Sequence, residues 1–295
     1  MSDKLNKVFE ILDYAEFLTE TERELFDCQP EFEHYKTLSI ETEKPICLIF
    51  SSDIHFGSIH TNVGEIKNVL NTILENDNVF LIVNGDFIDN FETPVPKLLL
   101  AGINSQILSP AKQREFYKNF IELLGENKKL LAVVIGNHEE FSGQNPYIQT
   151  LFQYKVPLGI NRLLLNLKLN NEVKYKIAMV HKSRFNSILN PVHSSHRELT
   201  LYYPTADVVC TSHSHFPAIY TFPYPKDDEL FDRILIKTGT FKDKDAYTFK
   251  YFNPYGVSHM STPAVVLYPD KRKMIGFFRY QDAVEFMRGM SYDKC

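Results

Sequence analysis

Ile46-Cys47-Leu48-Ile49-Phe50-Ser51-Ser52-Asp53-Ile54-His55 is the stretch on which the reading of this chain turns. Five apolar residues between Pro45 and two serines fit a short strand buried on both faces, because a buried helix needs ten or more. Where the apolar run stops, a carboxylate and an imidazole follow two positions apart, and in an extended segment both would point to one side. The arrangement recurs downstream. Val79–Val83 leads into Gly85-Asp86 with Asp89, and Leu130–Ile135 into Gly136-Asn137-His138-Glu139. Ile177–Val180 leads into His181, and Asp207–Thr211 into His213-Ser214-His215. Five strand ends converging on one sheet edge would gather residues more than 150 positions apart into one pocket.

Carboxylate, imidazole and amide oxygen together suit Mn, Fe or Zn. A carboxylate at the tip of the second strand, Asp86, has two oxygens and can bridge two ions, while Asn137 offers a neutral carbonyl oxygen. With Asp86 shared, four protein ligands fall to each of two ions. Positions then remain for water and substrate, which distinguishes a catalytic site from a sealed structural one. Each short motif is common by chance; their order, each at a strand exit, carries the expectation of a paired metal centre.

The rest of the composition sets bounds. A hydrophobic share of 44% over 295 residues is enough for one large α/β domain with an ample core. No window is apolar for long enough to cross a bilayer, and Met1-Ser2-Asp3-Lys4 begins no secretory signal. Cys28, Cys47, Cys210 and Cys295 are far apart and read as reduced thiols, so a cytoplasmic location is expected. Residues 1–45 hold 12 Asp/Glu against 5 Lys/Arg, whereas the remainder is near neutral. Such a balance argues against coating duplex DNA by bulk charge but leaves local binding of a phosphodiester open.

The organisation expected is a helical extension over residues 1–45 and one domain over 46–295. Leu5, Val8, Phe9 and Leu12 approximate an apolar stripe, and Thr21 with Glu24 suits a capping box. Helices are expected over 64–76, 111–125 and around 193–202, with a hairpin of 162–169 and 173–180 turning at Asn170-Asn171. Further strands are expected near 218–222, 233–238, 263–268 and 274–280. Residues 91–109, with Pro94 and Pro96, read as a short packed helix, a flap or a dimer contact.

Taken together, D-x-H, G-D-x-x-D, G-N-H-E, a lone His and S-H-x-H resemble the motif set of the calcineurin-like metallophosphoesterases. The resemblance covers about residues 46–280 and sits nearest the bacterial, archaeal and phage phosphoesterases of the nuclease-like branch. It implies an α/β fold, a four-layer α/β/β/α sandwich of two mixed sheets with the metals at the strand ends. It also implies that Asp53, His55, Asp86 and His215 hold one ion, and Asp86, Asn137, His181 and His213 the other. Mn is the first expectation for both, with Fe or Zn as alternatives. Ser212 stands where the family usually has Gly, and Lys182 follows His181 where Gly is frequent.

The chemistry expected is hydrolysis of a phosphate ester by a hydroxide bridging the two ions. His138 is the candidate general acid for the leaving oxygen, and Asp89 the residue that holds its tautomer. Lys182, Arg184, His193 and Arg197 are candidate substrate contacts on the rim. Tyr247, Phe249, Tyr251, Phe252 and Tyr255, interleaved with Lys242, Lys244 and Lys250, read as strand packing or as a nucleotide-stacking surface. Asn90-Phe91 follows Asp89 where protein Ser/Thr phosphatases of the superfamily carry Arg-Gly. The substrate expected is therefore DNA, RNA or a nucleotide, cut as a phosphodiester, with no membrane involved and a homo-oligomer left open. The alternatives are a phosphomonoesterase acting on a small molecule or phosphoprotein, and a non-catalytic scaffold of the same fold.

Overall fold

The computed structural model describes residues 35–92, 105–141, 146–187, 189–226, 229–243 and 262–292. The chain divides into two units, Met1–Glu33 and His34–Cys295. The first unit, which is most of the expected helical extension, lies outside the described residues. So do residues 93–104 and the run from Tyr247 to Tyr255.

In chain order the strands are β1 (Tyr35–Ile40), β2 (Ile46–Ser51), β3 (Val79–Asn84), β4 (Leu130–Ile135), β5 (Leu158–Ile160) and β6 (Arg162–Leu169). They continue with β7 (Val173–Val180), β8 (Val208–Thr211), β9 (Ala218–Lys226), β10 (Glu229–Lys237), β11 (Ala264–Leu267) and β12 (Met274–Phe277). The helices are α1 (Val63–Glu75), α2 (Pro110–Glu126), α3 (Pro146–Gln153), α4 (His193–Leu201) and α5 (Tyr280–Tyr292). Two six-stranded sheets result, ordered β12-β11-β2-β3-β4-β5 and β1-β6-β7-β8-β10-β9. Both are mixed: β2 to β5 run parallel with β11 reversed beside β2, and β7, β8 and β10 run parallel with β6 and β9 reversed at their flanks.

The apolar pattern explains the layering. β2 and β4 are buried along their whole length, because one face meets the opposite sheet and the other meets helices. β6 instead alternates, burying Leu163, Leu165, Leu167 and Leu169 and leaving the residues between them half-exposed. These leucines interlock with Leu48, Phe50 and Ile82 from the first sheet and Ile177, Met179 and Ile236 from the second. Each such side chain contributes about 1.5–3 kcal/mol on burial, so the seam between the sheets is the main core. α1, α2 and α5 pack on the first sheet and α4 on β8 and β10 of the second. The α/β sandwich expected from the sequence is the fold observed.

Local signals set the helix starts. Asn62 caps α1 by accepting from Glu65 N at 2.9 Å, and Ser109 caps α2 ahead of Pro110 in its first turn. One expectation is corrected. Tyr35–Ile40 is not helical but a strand, paired parallel to β6 from Tyr35↔Leu164 to Ile40↔Leu169. Lys36, Leu38 and Ile40 alternate with exposed neighbours in the period of a strand. The partner that makes this strand worthwhile lies more than 120 residues downstream. Among the described residues no helix is long and apolar enough to cross a membrane.

Candidate metal centre

β2, β3, β4, β7 and β8 finish on one edge of the sandwich, and each passes the chain to one of the five polar motifs. At that edge the backbone turns sharply. Asp53 (φ 48°), His55 (φ 49°), Asp86 (φ 52°), His213 (φ 71°) and His215 (φ 56°) all adopt the left-handed conformation. The expectation that Asp53 and His55 project from an extended segment is therefore corrected. Cross-links hold the turn: Asp53 N donates to Gly85 O and His55 N to Asp86 O, both at 3.0 Å. A left-handed residue with a side chain costs about 1–2 kcal/mol. Strain gathered on five potential ligands points to function.

Two glycines allow the loops to close on one another. Gly85 has φ 86°, and a Cβ there would lie 2.3 Å from His181 Nδ1. A Cβ on Gly136 would lie 2.3 Å from Asp86 Oδ1. Glu139 then joins the two loops, accepting the backbone N–H of Asp86 (2.9 Å), Phe87 (2.6 Å) and Gly136 (2.9 Å). Burial and the nearby Asp86 charge raise the Glu139 carboxyl to about 7, against those same backbone donors.

The imidazoles are aimed by what holds their other nitrogen. His181 Nδ1 donates to Asn84 O at 2.8 Å, so Nε2 is the nitrogen that faces the site and the one that frees its lone pair when a cation binds. His138 Nδ1 is fixed in the same way by Asp89 O at 2.6 Å. The Asp89 carboxylate itself meets His55 Nδ1 at 3.1 Å. The expected Asp89–His138 pairing thus runs through the Asp89 backbone carbonyl, while its carboxylate orients His55. His55 Nε2 stands 3.2 Å from His215 Nε2, and His215 Nε2 stands 3.2 Å from Asp53 Oδ1. His181 Nε2 and His213 Nδ1 approach Asp86 Oδ2 at 3.1 and 4.0 Å.

Ligating atoms of Asp53, Asp86, His181 and His213 lie within 4.8 Å of one another. Those of Asp53, His55 and His215 form a second such group, with Asp53 in both, and those of His55, Asp89 and His138 a third. The donor chemistry fits divalent cations. Asp53 Oδ1, Asp86 Oδ2, Asn137 Oδ1 and His181 Nε2 are all buried, and none has a hydrogen-bond partner outside the cluster of potential ligands. A buried polar atom left unsatisfied costs about 1–3 kcal/mol, and four of them among potential ligands are what bound cations would satisfy.

The charges agree. Burial would raise the Asp53 carboxyl, but the charge of His215 and its close approach hold it down to about 2. Asp86 lies well below the usual carboxylate range because His181 and His138 outweigh its burial. Burial alone would lower His181, yet the charge and close approach of Asp86 push it up to about 10. A proton on His181, between two carboxylates, thus takes the place of a cation's charge. Beneath the site Ser52 donates to Asp53 Oδ2, and Ser212 Oγ accepts from Asn84 Nδ2 (2.6 Å) and Thr238 Oγ1 (2.9 Å). The Ser at 212 is therefore a hydrogen-bond acceptor under the centre.

The expected rim contacts are less concentrated. Lys182, Arg184 and Arg197 are exposed and His193 half-buried. Lys182 N bonds to Asn161 Oδ1, and the Arg197 guanidinium lies over Phe185 at 4.9 Å, so these contacts stay within the rim. The sequence reading set Lys242 among the cations of a packed strand or nucleotide-stacking surface and did not place it at the metal centre. Its ammonium lies 3.3 Å from Asp89 Oδ1 at the heart of the site. The sequence shows only a Lys-Asp-Lys cluster, in which nothing singles out the first Lys.

A sequence model described as "Calcineurin-like phosphoesterase" matches residues 48–217. No curated protein sequence matches the chain. Among solved structures, a single mutant of Vps29 from Entamoeba histolytica is 10% identical with a TM-score of 0.38, covering 79% of this chain and 99% of that one. The Pseudomonas putida nuclease MPE is 14% identical with a TM-score of 0.31, covering 78% and 87%. The Haemophilus influenzae NAD nucleotidase NadN is 10% identical with a TM-score of 0.36, covering 79% of this chain and 49% of that one. These are distant likenesses, and the functional reading rests on the site. Since the sequence model spans more than half of the chain and takes in all five motifs at the strand exits, the chain belongs to the calcineurin-like phosphoesterase family.

Proposed function

We propose that this protein is a dinuclear metal-dependent phosphodiesterase acting on nucleic acid or a nucleotide. On this reading Asp53, His55, Asp86 and His215 hold one ion, and Asp86, Asn137, His181 and His213 the other, with Mn preferred over Fe or Zn. When bound, the two cations would activate a water and offset charge on the phosphoryl oxygens. The observation that carries the proposal is the set of four buried, unsatisfied ligand atoms beside His138.

His138 is the proton donor on this reading. Its Nδ1 is committed to the Asp89 carbonyl, so Nε2 is the atom that exchanges a proton with a departing oxygen. The rings of Phe91 and Phe141 pack against it at 5.0 and 4.7 Å, restricting its plane. Burial lowers its pKa, while the Asp86 and Asp89 charges work the other way and favour the imidazolium that a donor at Nε2 must be. Asn90 occupies the position where a phosphoprotein phosphatase would present Arg. Asn90 is buried, donates to His138 O at 2.8 Å and accepts from Arg114 at 3.0 Å, so it supports the acid and leaves phosphate unbound.

The test is turnover by the Mn-loaded protein of bis-p-nitrophenyl phosphate against p-nitrophenyl phosphate, followed by single-stranded DNA, duplex DNA, RNA and cyclic nucleotides. Preference for the diester and cleavage of at least one nucleic acid or nucleotide are expected. Preference for the monoester would replace the reading with a phosphomonoesterase. No bound metal and no turnover would leave a scaffold.

A further inference from the structure

Lys237, the last residue of β10, is a buried cation that no carboxylate pairs among the described residues. Only 3% of it is exposed, and its one hydrogen bond goes to the neutral amide oxygen of Asn186, at 3.3 Å. An ammonium carries three donors, and a buried charge is costly unless it is paired. Burial lowers its pKa to about 8, and only the Asp53 charge works the other way. Cations nearby are treated differently, since Lys242 is ion-paired with Asp89 and Arg162 with Glu198.

The ends of three elements fix where this charge sits. Ile234 and Ile236 of β10 enter the core between the sheets, whereas Leu235 packs with Leu199 of α4 on the outer face. Lys237 alternates onto that outer face. It lies in register with Thr211 of β8, two residues ahead of His213. The first turn of α4 is pinned there: Ser194 and Ser195 Oγ each lie 2.8 Å from Thr211 Oγ1, and Ser195 donates to Ile236 O at 2.6 Å. Val192 supplies no side-chain cap to α4, so the positive end of that helix meets no added negative charge from its cap. Asn186 is an exposed residue of the rim loop that follows His181. The ammonium is therefore one side chain beneath the surface, between the segments that carry His181 and His213. Carboxylates of the metal centre have no need of it once two divalent ions claim them. What would complete its surroundings is an anion.

We infer that Lys237, with Asn186 and the first turn of α4, forms a site beside the metal centre that binds a phosphate group of the substrate. That the phosphate belongs to a substrate rests on the phosphodiesterase reading above. A lysine recognises phosphate as a point charge, and the Asn186 amide nitrogen offers further donors.

The first arm of the experiment needs no turnover. Inorganic phosphate is titrated into the full, metal-free chain and followed by NMR of the lysine ε-methylene groups, with Lys237→Arg assigning the signal. Phosphate should bind and raise the Lys237 pKa above about 8, because an anion favours the charged form. Lys237→Met should weaken phosphate binding about tenfold, the scale of one charge-assisted hydrogen bond, and Lys237→Arg should keep part of it. A Lys237 signal that phosphate leaves unmoved, or binding unchanged in the Met variant, overturns the inference. The wild-type signal decides even if that variant does not fold. The second arm uses the Mn-loaded protein with bis-p-nitrophenyl phosphate, which has one phosphate, and with thymidine dinucleotides phosphorylated at either end, which have two. A KM raised about tenfold by Lys237→Met on both kinds of substrate assigns the site to the phosphate under attack. A KM raised on the dinucleotides alone assigns it to a neighbouring phosphate. A fall in kcat with KM unchanged would make Lys237 a support for the rim loop and overturn the inference. If no diester is cleaved the phosphodiesterase reading falls, while the phosphate titration still judges the site.

Discussion

The two ends of the second sheet differ in how their polar groups are treated. At the entry ends of β7, β8 and β10, a cavity of about 690 Å³ is lined by Lys174, Lys176, Asp207, Arg233 and Arg272 among others. Three of its cations are held within the fold. Arg272 pairs with Asp207 and lies over Phe231, Arg233 donates to Pro204 O, and Lys176 donates to Thr205. At the exit ends the carboxylates and imidazoles crowd together, the backbone is left-handed at five of them, and four buried ligand atoms have no hydrogen-bond partner outside their own cluster. A concave, charged surface is thus not enough to mark a site. Unsatisfied groups held under strain are the better guide, because the fold alone does not compensate them.

This contrast can be broken experimentally, beginning where the effect should be greatest. Asp86→Ala should remove metal and turnover together, with loss of at least about 10²–10³-fold, the scale of deleting one preorganised electrostatic contact. Metal analysis and steady-state kinetics on one preparation would check this, and a metal-replete, active variant would refute the assignment. His138→Ala should keep its metal and lose about 10²–10⁴-fold on esters with poor leaving groups. The deficit should shrink on p-nitrophenyl esters, whose leaving group needs no proton.

A smaller effect concerns acid. Metal-free His181 has its pKa raised to about 10, so at neutral pH it carries a proton that a cation must expel. Apparent metal affinity should then fall about tenfold per unit drop in pH for each proton displaced. Calorimetry in buffers of different ionisation enthalpy would count those protons, and a count of zero would contradict this picture. Gly85→Ala places a side chain at φ 86° and against His181, so stability should drop by at least about 1–2 kcal/mol. Denaturant unfolding would measure it. Least of all, Arg272→Met at the opposite cavity should cost about 1 kcal/mol of stability and leave kcat/KM unchanged. Lost activity there would show that the two ends are coupled.

How far the site was legible depends on the range of the interaction concerned. Val79–Val83, Leu130–Ile135 and the hairpin around Asn170-Asn171 announce themselves because burial and turn chemistry are local properties of the chain. Tyr35–Ile40 does not, since its pairing with β6 is a contact between distant segments. The same holds for Lys242, whose significance depends on the Asp89 carboxylate over 150 residues away. Asp89 itself was recognised, but its division of labour was not: only the folded backbone shows a carbonyl on His138 and a carboxylate on His55.

Sequence alone determined the chemical inventory, which is the strands, the order of the motifs and the residue types able to hold two cations. Residue identity and local periodicity suffice for that. Tertiary structure decided the geometry: the left-handed turns at Asp53 and His55, the nitrogen each imidazole presents, and the lysine beside the acid. These depend on backbone torsions and on contacts between distant segments. They exist only once both sheets have closed on their common core.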